Sequence, residues 1–220
     1  MPRVARIIVR DYPYHIVQRG NYRQTVFASE ADYRQYLTWL KEYAEKYSLD
    51  IWSYCLMSNH VHYVCVPRDE TSIARTLNTL HMRYSQYYNR KKGVTGHLWQ
   101  GRYYSSILDD RHLYAAIRYV ENNPVRAGIV QDPVDYTWSS ARGHCGIASD
   151  RILSNTCHLC DEIHNWSRYL SVDESPELIE CLRNNVMSGR PCGDDAFKKN
   201  IEAIVGKSLK VRPRGRPRKQ

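Results

Sequence analysis

The sequence predicts an α+β protein with a four-stranded antiparallel sheet, followed by a helical extension and a basic tail. Short apolar runs alternate with long stretches of helical periodicity in the order strand, helix, strand, strand, helix, strand, helix. This order matches the ferredoxin-like split βαβ arrangement, with helices on one face of the sheet. The tail, KSLKVRPRGRPRKQ, holds seven of the excess basic residues and no acid.

The first half of this order ends in a pair of strands. YHIVQRG, residues 14–20, alternates and ends on glycine, so it predicts the first strand. The next stretch, residues 29–48, has helical spacing, and Ser29 is its expected N-cap. LDIWSYCL (49–56) and HVHYVCV (60–66) predict two strands joined by a short turn. The split βαβ order makes the latter strand central and places it beside the first.

The second half ends in an amphipathic helix. Residues 71–93 predict a helix ended by Gly93, and YYSSIL, 103–108, predicts a fourth strand. DRHLYAAIRYVENNP, 110–124, predicts a helix that its first aspartate caps and its proline stops.

The predicted strand and helix periodicities place two pairs of polar residues on defined faces of their elements. His60 and His62 point to the same face of their strand because side chains alternate. Two imidazoles on one face can hold a metal ion, although a half-exposed strand also carries such a pair by chance. Tyr119 and Asn123, four residues apart, share one flank of the last helix beside its apolar stripe. Without a metal site in the sheet beneath them, a tyrosine and an asparagine at these positions are typical of an interface.

The composition indicates an ordinary soluble protein that binds a polyanion. Of its 220 residues, 42% are hydrophobic and 25% charged, and the net charge is +9. Without the tail the net charge is +2, so the excess positive charge lies on a terminal arm. The natural partner of such an arm is nucleic acid, and a tail that only improves solubility is the alternative. No run approaches the roughly 18 apolar residues of a membrane span, and no signal peptide is recognisable. Seven scattered cysteines suggest reduced thiols and a cytoplasmic location.

We divide the chain into three parts. Residues 1–145 form the predicted first domain, which holds the sheet and its helices. Residues 146–206 form an extension that begins loop-rich and ends in one or two helices, with Gly206 as the final cap. Residues 207–220 form the tail, which is expected to be disordered until it meets DNA.

Four stretches carry a family resemblance: YHIVQRGNYRQTVF, YCLMSNHVHYV, GHLWQGRYYSS and YAAIRYVENNPVRAGIV. Together they resemble the REP-associated tyrosine transposases, single-tyrosine HUH proteins of bacteria that are related to insertion-sequence transposases. The resemblance covers roughly residues 10–145 and implies the HUH fold. It also implies cleavage and rejoining of single-stranded DNA beside hairpins of repetitive extragenic palindromes, in the bacterial nucleoid.

The resemblance implies a role for each of the four polar residues. Tyr119 would attack a backbone phosphate and form a 5′-phosphotyrosyl intermediate, while His60, His62 and Asn123 would bind Mg²⁺ or Mn²⁺. A phenol is a poor nucleophile at neutral pH, and a metal compensates by neutralising charge at the phosphate. Imidazoles favour softer metals than Mg²⁺. The fourth-ligand candidates Asp109, Asp110 and Glu121 are weak.

We expect contacts with DNA phosphates from residues that follow the first strand and from residues on or near the core helices. The residues are Arg19, Asn21, Arg23, Arg83, Arg90, Lys91, Lys92, Arg102, Arg118 and Arg126. Trp99, Tyr103 and Tyr104 are candidates for base stacking or for the core. In the tail, Arg214 and Arg216 within PRGRP look like an AT-hook core that enters an A·T minor groove, with generic electrostatic anchoring or no role as the alternatives.

Three questions stay open at this level. CHLC, 157–160, is a single CxxC whose spacing does not match a standard zinc finger, so coincidence is the simpler interpretation. A non-catalytic hairpin-binding regulator and a phosphodiesterase that uses water are the alternative functions. The oligomeric state is undecided, although the long extension favours a monomer.

Overall fold

The computed structural model describes Arg6 and residues 8–209, so the expected AT-hook residues Arg214 and Arg216 lie outside the described residues. The strands are β1 (Tyr14–Arg19), β2 (Leu49–Met57), β3 (His60–Pro67) and β4 (Tyr104–Ile107). The helices of the first 145 residues are α1 (Glu30–Lys46), α2 (Ser72–Lys92), α3 (Asp110–Glu121), α4 (Asn123–Arg126) and α5 (Ala141–His144). Those of the extension are α6 (Leu159–Glu162), α7 (Trp166–Leu170), α8 (Pro176–Ser188) and α9 (Asp195–Val205). Within the described part of the chain, every helix is too short or too polar to cross a bilayer.

The four strands form one antiparallel sheet in the order β2-β3-β1-β4. The predicted α+β class and the predicted place of β3, central and next to β1, are confirmed. The register pairs Val17 with His62 and Arg19 with His60. Because paired residues point to the same side of a sheet, β1 and β3 present these four side chains to one face.

The two faces of the sheet are covered by different helices. Apolar residues of α1 and α2, such as Leu40 and Leu77, share a core with Ile16 and Tyr63. The other face packs Val64 and its neighbours against α3 and the extension. The prediction of helices on one face therefore holds for α1 and α2 only. α3 buries its apolar stripe against the opposite face, because α1 and α2 already cover the first one. That stripe is Leu113, Ala116, Ile117 and Val120, each fully buried.

The helix α3 differs from its predicted bounds at both ends. Asp109, not Asp110, is the N-cap, and its carboxylate accepts a hydrogen bond from the backbone N–H of His112 at 2.8 Å. The helix ends at Glu121, and Pro124 belongs to the first turn of the separate helix α4. A proline lacks the N–H that a continued helix would need, but it fits the first turn of a new one.

The extension packs onto the first domain. Trp166 and Leu182 share the core of α3, and the backbone N–H of Cys192 donates to Ile107 O on β4 at 2.8 Å. The predicted helices in 174–205 are present as α8 and α9, and Gly206, with φ of 63°, caps α9 as expected. The division at residue 145 stays a prediction.

Candidate active site

Three histidines meet on the face of the sheet that α3 covers. His60 and His62 lie on β3 with their ring centroids 5.0 Å apart. His15, on β1, stacks on His62, and His15 Nε2 lies 3.1 Å from His62 Nδ1. The sequence predicted His60 and His62 to share one face, but His15 was missed. The signal that could have found His15 is its position in the alternating pattern of β1.

All three imidazoles are neutral at neutral pH. Burial lowers the pKa of His15 to about 3, with Arg126 adding to the effect. Burial and the nearby Arg19 lower the pKa of His60 to about 4. The pKa of His62 is lowered well below its usual value by burial, then by the other two histidines and the arginines. Neutral imidazoles keep a lone pair, which is the form that binds metals.

Hydrogen bonds indicate which nitrogen each imidazole can offer. His60 Nδ1 lies 2.6 Å from Asn59 Oδ1, so Nδ1 carries the proton and Nε2 keeps its lone pair. His62 can offer Nε2 if its Nδ1 donates to His15 Nε2. His15 would then act as the outer partner that orients a ligating imidazole.

Tyr119 faces this cluster from α3. Its ring centroid lies 5.9 Å from that of His62 and 5.8 Å from that of His15, edge-on in both cases. The guanidinium of Arg126 lies 4.0 Å above the tyrosine ring, and Arg183 Nε donates to Tyr119 Oη at 3.2 Å. The phenol is thus placed between imidazoles on one side and the two guanidinium groups on the other.

Arg183 was also missed from the sequence. It belongs to α8, 64 residues after Tyr119. No local pattern links a residue of the extension to the nucleophile helix, so only the packing of α8 reveals the contact.

Asn123 is buried in the first turn of α4. Its Nδ2 donates to Val120 O at 3.3 Å, so its oxygen is the atom that a metal would take. Two neutral imidazoles and an amide oxygen fit a divalent metal that tolerates nitrogen ligands, and phosphate oxygens would complete its shell. The donor set suits Mn²⁺ better than Mg²⁺, which prefers oxygen throughout.

The weak fourth-ligand candidates are engaged elsewhere or exposed. Glu121 is fully buried and accepts hydrogen bonds from His144 Nδ1 at 2.6 Å and Trp166 Nε1 at 2.9 Å. Asp109 caps α3, and Asp110 is exposed at its first turn. Glu121 is therefore a structural carboxylate.

The expected phosphate contacts fall into two groups. Arg19 lies beside His60 in the register, and Asn21 and Arg23 form the turn that follows β1. The exposed side chains of Arg90, Lys92 and Arg102 complete this group. The second group has intramolecular contacts: Arg83 with Glu42, Lys91 with Asp32, Arg118 with Glu174, and Arg126 with Tyr119. Their contact with DNA stays a prediction.

The stacking candidates are mostly core residues. Trp99 and Tyr103 are buried, and Trp99 Nε1 donates to His81 O at 3.3 Å. Tyr104 is half-buried. Tyr22, in the turn after β1, is 94% exposed and has a φ of 50°. A tyrosine in the left-handed region is strained, and this one was not singled out from the sequence.

Comparisons with known proteins show the family to which the chain belongs. The family model described as "Transposase IS200 like" matches residues 8–123. A curated Haemophilus influenzae protein, provisionally named a REP-associated tyrosine transposase, is 24% identical over 111 residues, 46% of this chain. The match spans 63% of that relative's length.

A solved structure gives the same result for the fold. It is titled as a REP-associated tyrosine transposase bound to a REP hairpin, and it matches with a TM-score of 0.52 and 14% identity. The match covers 70% of this chain and 92% of that one. The family model spans more than half of the chain, including β1, β3, His60, His62 and Tyr119, and the chain therefore belongs to the IS200-like transposase family.

Proposed function

We propose that the protein is a metal-dependent strand transferase that cleaves and rejoins single-stranded DNA beside hairpins of repetitive extragenic palindromes. The observation that carries the proposal is the placement of Tyr119 against the histidine cluster, with Arg183 on its hydroxyl. A pure DNA-binding surface needs no such buried group. The hairpin is suggested by the related transposase that was solved with a REP hairpin, and the single-stranded substrate follows from the family resemblance.

In this mechanism Tyr119 Oη attacks a backbone phosphorus. A bond forms between the tyrosine oxygen and phosphorus, and the bond from phosphorus to the 3′ oxygen breaks. The phenol loses its proton, and the leaving 3′ oxygen gains one. The 5′-phosphotyrosyl linkage conserves the energy of the phosphodiester, so a 3′-hydroxyl can reverse the reaction without ATP.

His60, His62 and Asn123 would hold the metal, which when bound polarises the scissile phosphate. His15 would orient His62 through the ring–ring hydrogen bond. Arg183 stabilises the tyrosine oxygen both as attacking and as leaving group. Arg19, Asn21 and Arg23 lie where β1 ends and would contact the DNA backbone.

The test is a covalent trap. Purified protein is incubated with a labelled single-stranded hairpin from its own genome's repeats, with Mn²⁺ or with EDTA, and run on a denaturing gel. A band with the mass of protein plus DNA is expected with Mn²⁺ and not with EDTA. Cleavage without this band would indicate water as the nucleophile. Tight binding with neither cleavage nor adduct would indicate the regulator.

We expect Arg183→Gln to slow adduct formation about tenfold, because a hydrogen bond from a charged donor contributes about 1.5–3 kcal/mol and this one is partly exposed. The measurement is the single-turnover rate of adduct formation at neutral pH. Arg111→Gln, which removes the same charge from an exposed position of α3, is the matched control. Equal rates in both variants would exclude a role for Arg183 at the hydroxyl.

A further inference from the structure

A second group of metal-binding side chains lies where the extension meets α3. It consists of His112 on α3, Cys181 on α8 and Cys192 in the segment between α8 and α9. Their ligand atoms all lie within 4.8 Å of one another. Cys181 Sγ is 3.5 Å from Cys192 Sγ and 3.8 Å from His112 Nε2.

The two shorter separations are each within about 0.3 Å of those in a tetrahedral zinc centre. With Zn–S of about 2.3 Å and Zn–N of about 2.0 Å, tetrahedral angles place two sulfurs about 3.8 Å apart and a sulfur and a nitrogen about 3.5 Å apart. A disulfide requires an S–S length of about 2.05 Å. The thiols are therefore spaced for a shared metal ion.

The groups around the cluster suit the same role. Asp109 Oδ1 lies 2.6 Å from His112 Nδ1, which directs His112 Nε2 toward the sulfurs in the way that carboxylates orient ligating histidines. Asn185 Nδ2 lies 3.1 Å from Cys181 Sγ and 3.4 Å from Cys192 Sγ. An amide N–H at these distances can donate to a sulfur that is bound to a metal ion.

We propose that His112, Cys181 and Cys192 bind a thiophilic divalent cation, Zn²⁺, with a water or another exogenous ligand in the fourth position. Binding displaces one proton from each thiol, so the dication and two thiolates form a neutral centre that a largely buried site tolerates. This site is separate from the histidine cluster of β1 and β3, whose donors include no sulfur.

The ion would clamp the extension onto the nucleophile helix. Cys192 is already tied to the start of α3, since Asp109 N–H donates to Cys192 O at 3.0 Å. Cys181 lies two residues before Arg183, the residue that contacts Tyr119 Oη. A metal at this junction would hold α8 at the position where Arg183 reaches the phenol.

CHLC is the competing thiol pair. Cys160 is exposed and Cys157 is buried. Cys157→Ser and Cys160→Ser are therefore the matched controls for Cys181→Ser and Cys192→Ser. Each control removes one thiol from the CHLC pair and leaves Cys181 and Cys192 intact.

The experiment measures metal in the full chain purified under reducing conditions, without DNA. Wild type is expected to hold about one equivalent of zinc per chain, with two sulfur and one histidine nitrogen ligands by X-ray absorption. Cobalt exchange is expected to produce thiolate-to-metal charge-transfer absorption. Cys181→Ser, Cys192→Ser and His112→Gln should lose this absorption, while Cys157→Ser, Cys160→Ser and His62→Ala should keep it.

Three results would overturn the proposal. One is wild type without tightly bound metal and without the cobalt absorption. Another is a metal lost only in the CHLC variants, and the third is a Cys181–Cys192 disulfide in the reduced protein. Wild-type spectra without thiolate-to-metal absorption exclude the site even if a variant fails to fold, and absorption that persists in Cys157→Ser and Cys160→Ser excludes CHLC as its source. Because no DNA is used, the result does not depend on the proposed strand transfer.

Discussion

Tyr119→Phe is expected to abolish the covalent protein–DNA adduct and to reduce cleavage by a factor on the order of 10⁴ or more, as removal of a nucleophile does in other enzymes. The change removes one oxygen and keeps the ring between the histidines and Arg126. It should therefore leave the fold and hairpin affinity nearly unchanged. The adduct is measured by denaturing gel and mass spectrometry, and affinity by a binding titration.

Tyr114→Phe is the matched control, since Tyr114 lies on the same helix and its hydroxyl contacts Glu162 instead of the histidine cluster. It should form the adduct at the wild-type rate. Wild-type cleavage by Tyr119→Phe would refute the tyrosine mechanism, whereas loss of hairpin binding by that variant would show that the phenol is needed to bind DNA.

His144→Gln is expected to lower the free energy of unfolding by about 3–5 kcal/mol, the usual cost of removing one partner of a buried ion pair. His144 Nδ1 lies 2.6 Å from Glu121 Oε1, and both side chains are nearly inaccessible to solvent. The variant leaves the Glu121 carboxylate buried without its cation. Denaturant unfolding at neutral pH measures the loss. His158→Gln, the same change at an exposed position, should cost less than about 0.5 kcal/mol.

The same pair predicts a pH dependence of stability. Burial opposes the charge on His144, but Glu121 and Cys160 outweigh it and raise the pKa of His144 to about 10. A raised pKa stabilises the fold fully below the unfolded value of about 6.5, and this contribution disappears as pH rises through about 10. The stability difference between wild type and His144→Gln should therefore shrink across that interval. A constant difference would mean that His144 is neutral in the folded protein.

Much of the framework was predictable because it depends on local periodicity. The alternation of HVHYVCV places His60 and His62 on one side of β3, and the helical angle places Tyr119 beside the apolar stripe of α3. The bounds of α3 were less predictable. Both aspartates at its start are good caps, and a proline can either stop a helix or begin the next one.

The expected DNA contacts show where periodicity stops being informative. Arg83 and Arg118 were grouped with other basic residues by charge alone, but each pairs with an acidic residue from another element, Glu42 and Glu174. A basic residue looks the same in sequence whether its partner is a phosphate or a carboxylate. The partner depends on which helices pack together.

By itself, the sequence determined the sheet, the direction of the two β3 histidines and the helix that carries Tyr119, since each follows from side-chain spacing along one element. Only the tertiary structure decided that His15 stacks on His62, 47 residues away, and that Arg183 reaches Tyr119 from the extension. Spacing along an element determines which face a side chain takes. The neighbour it meets there depends on strand pairing and helix packing between distant segments, which local patterns do not encode.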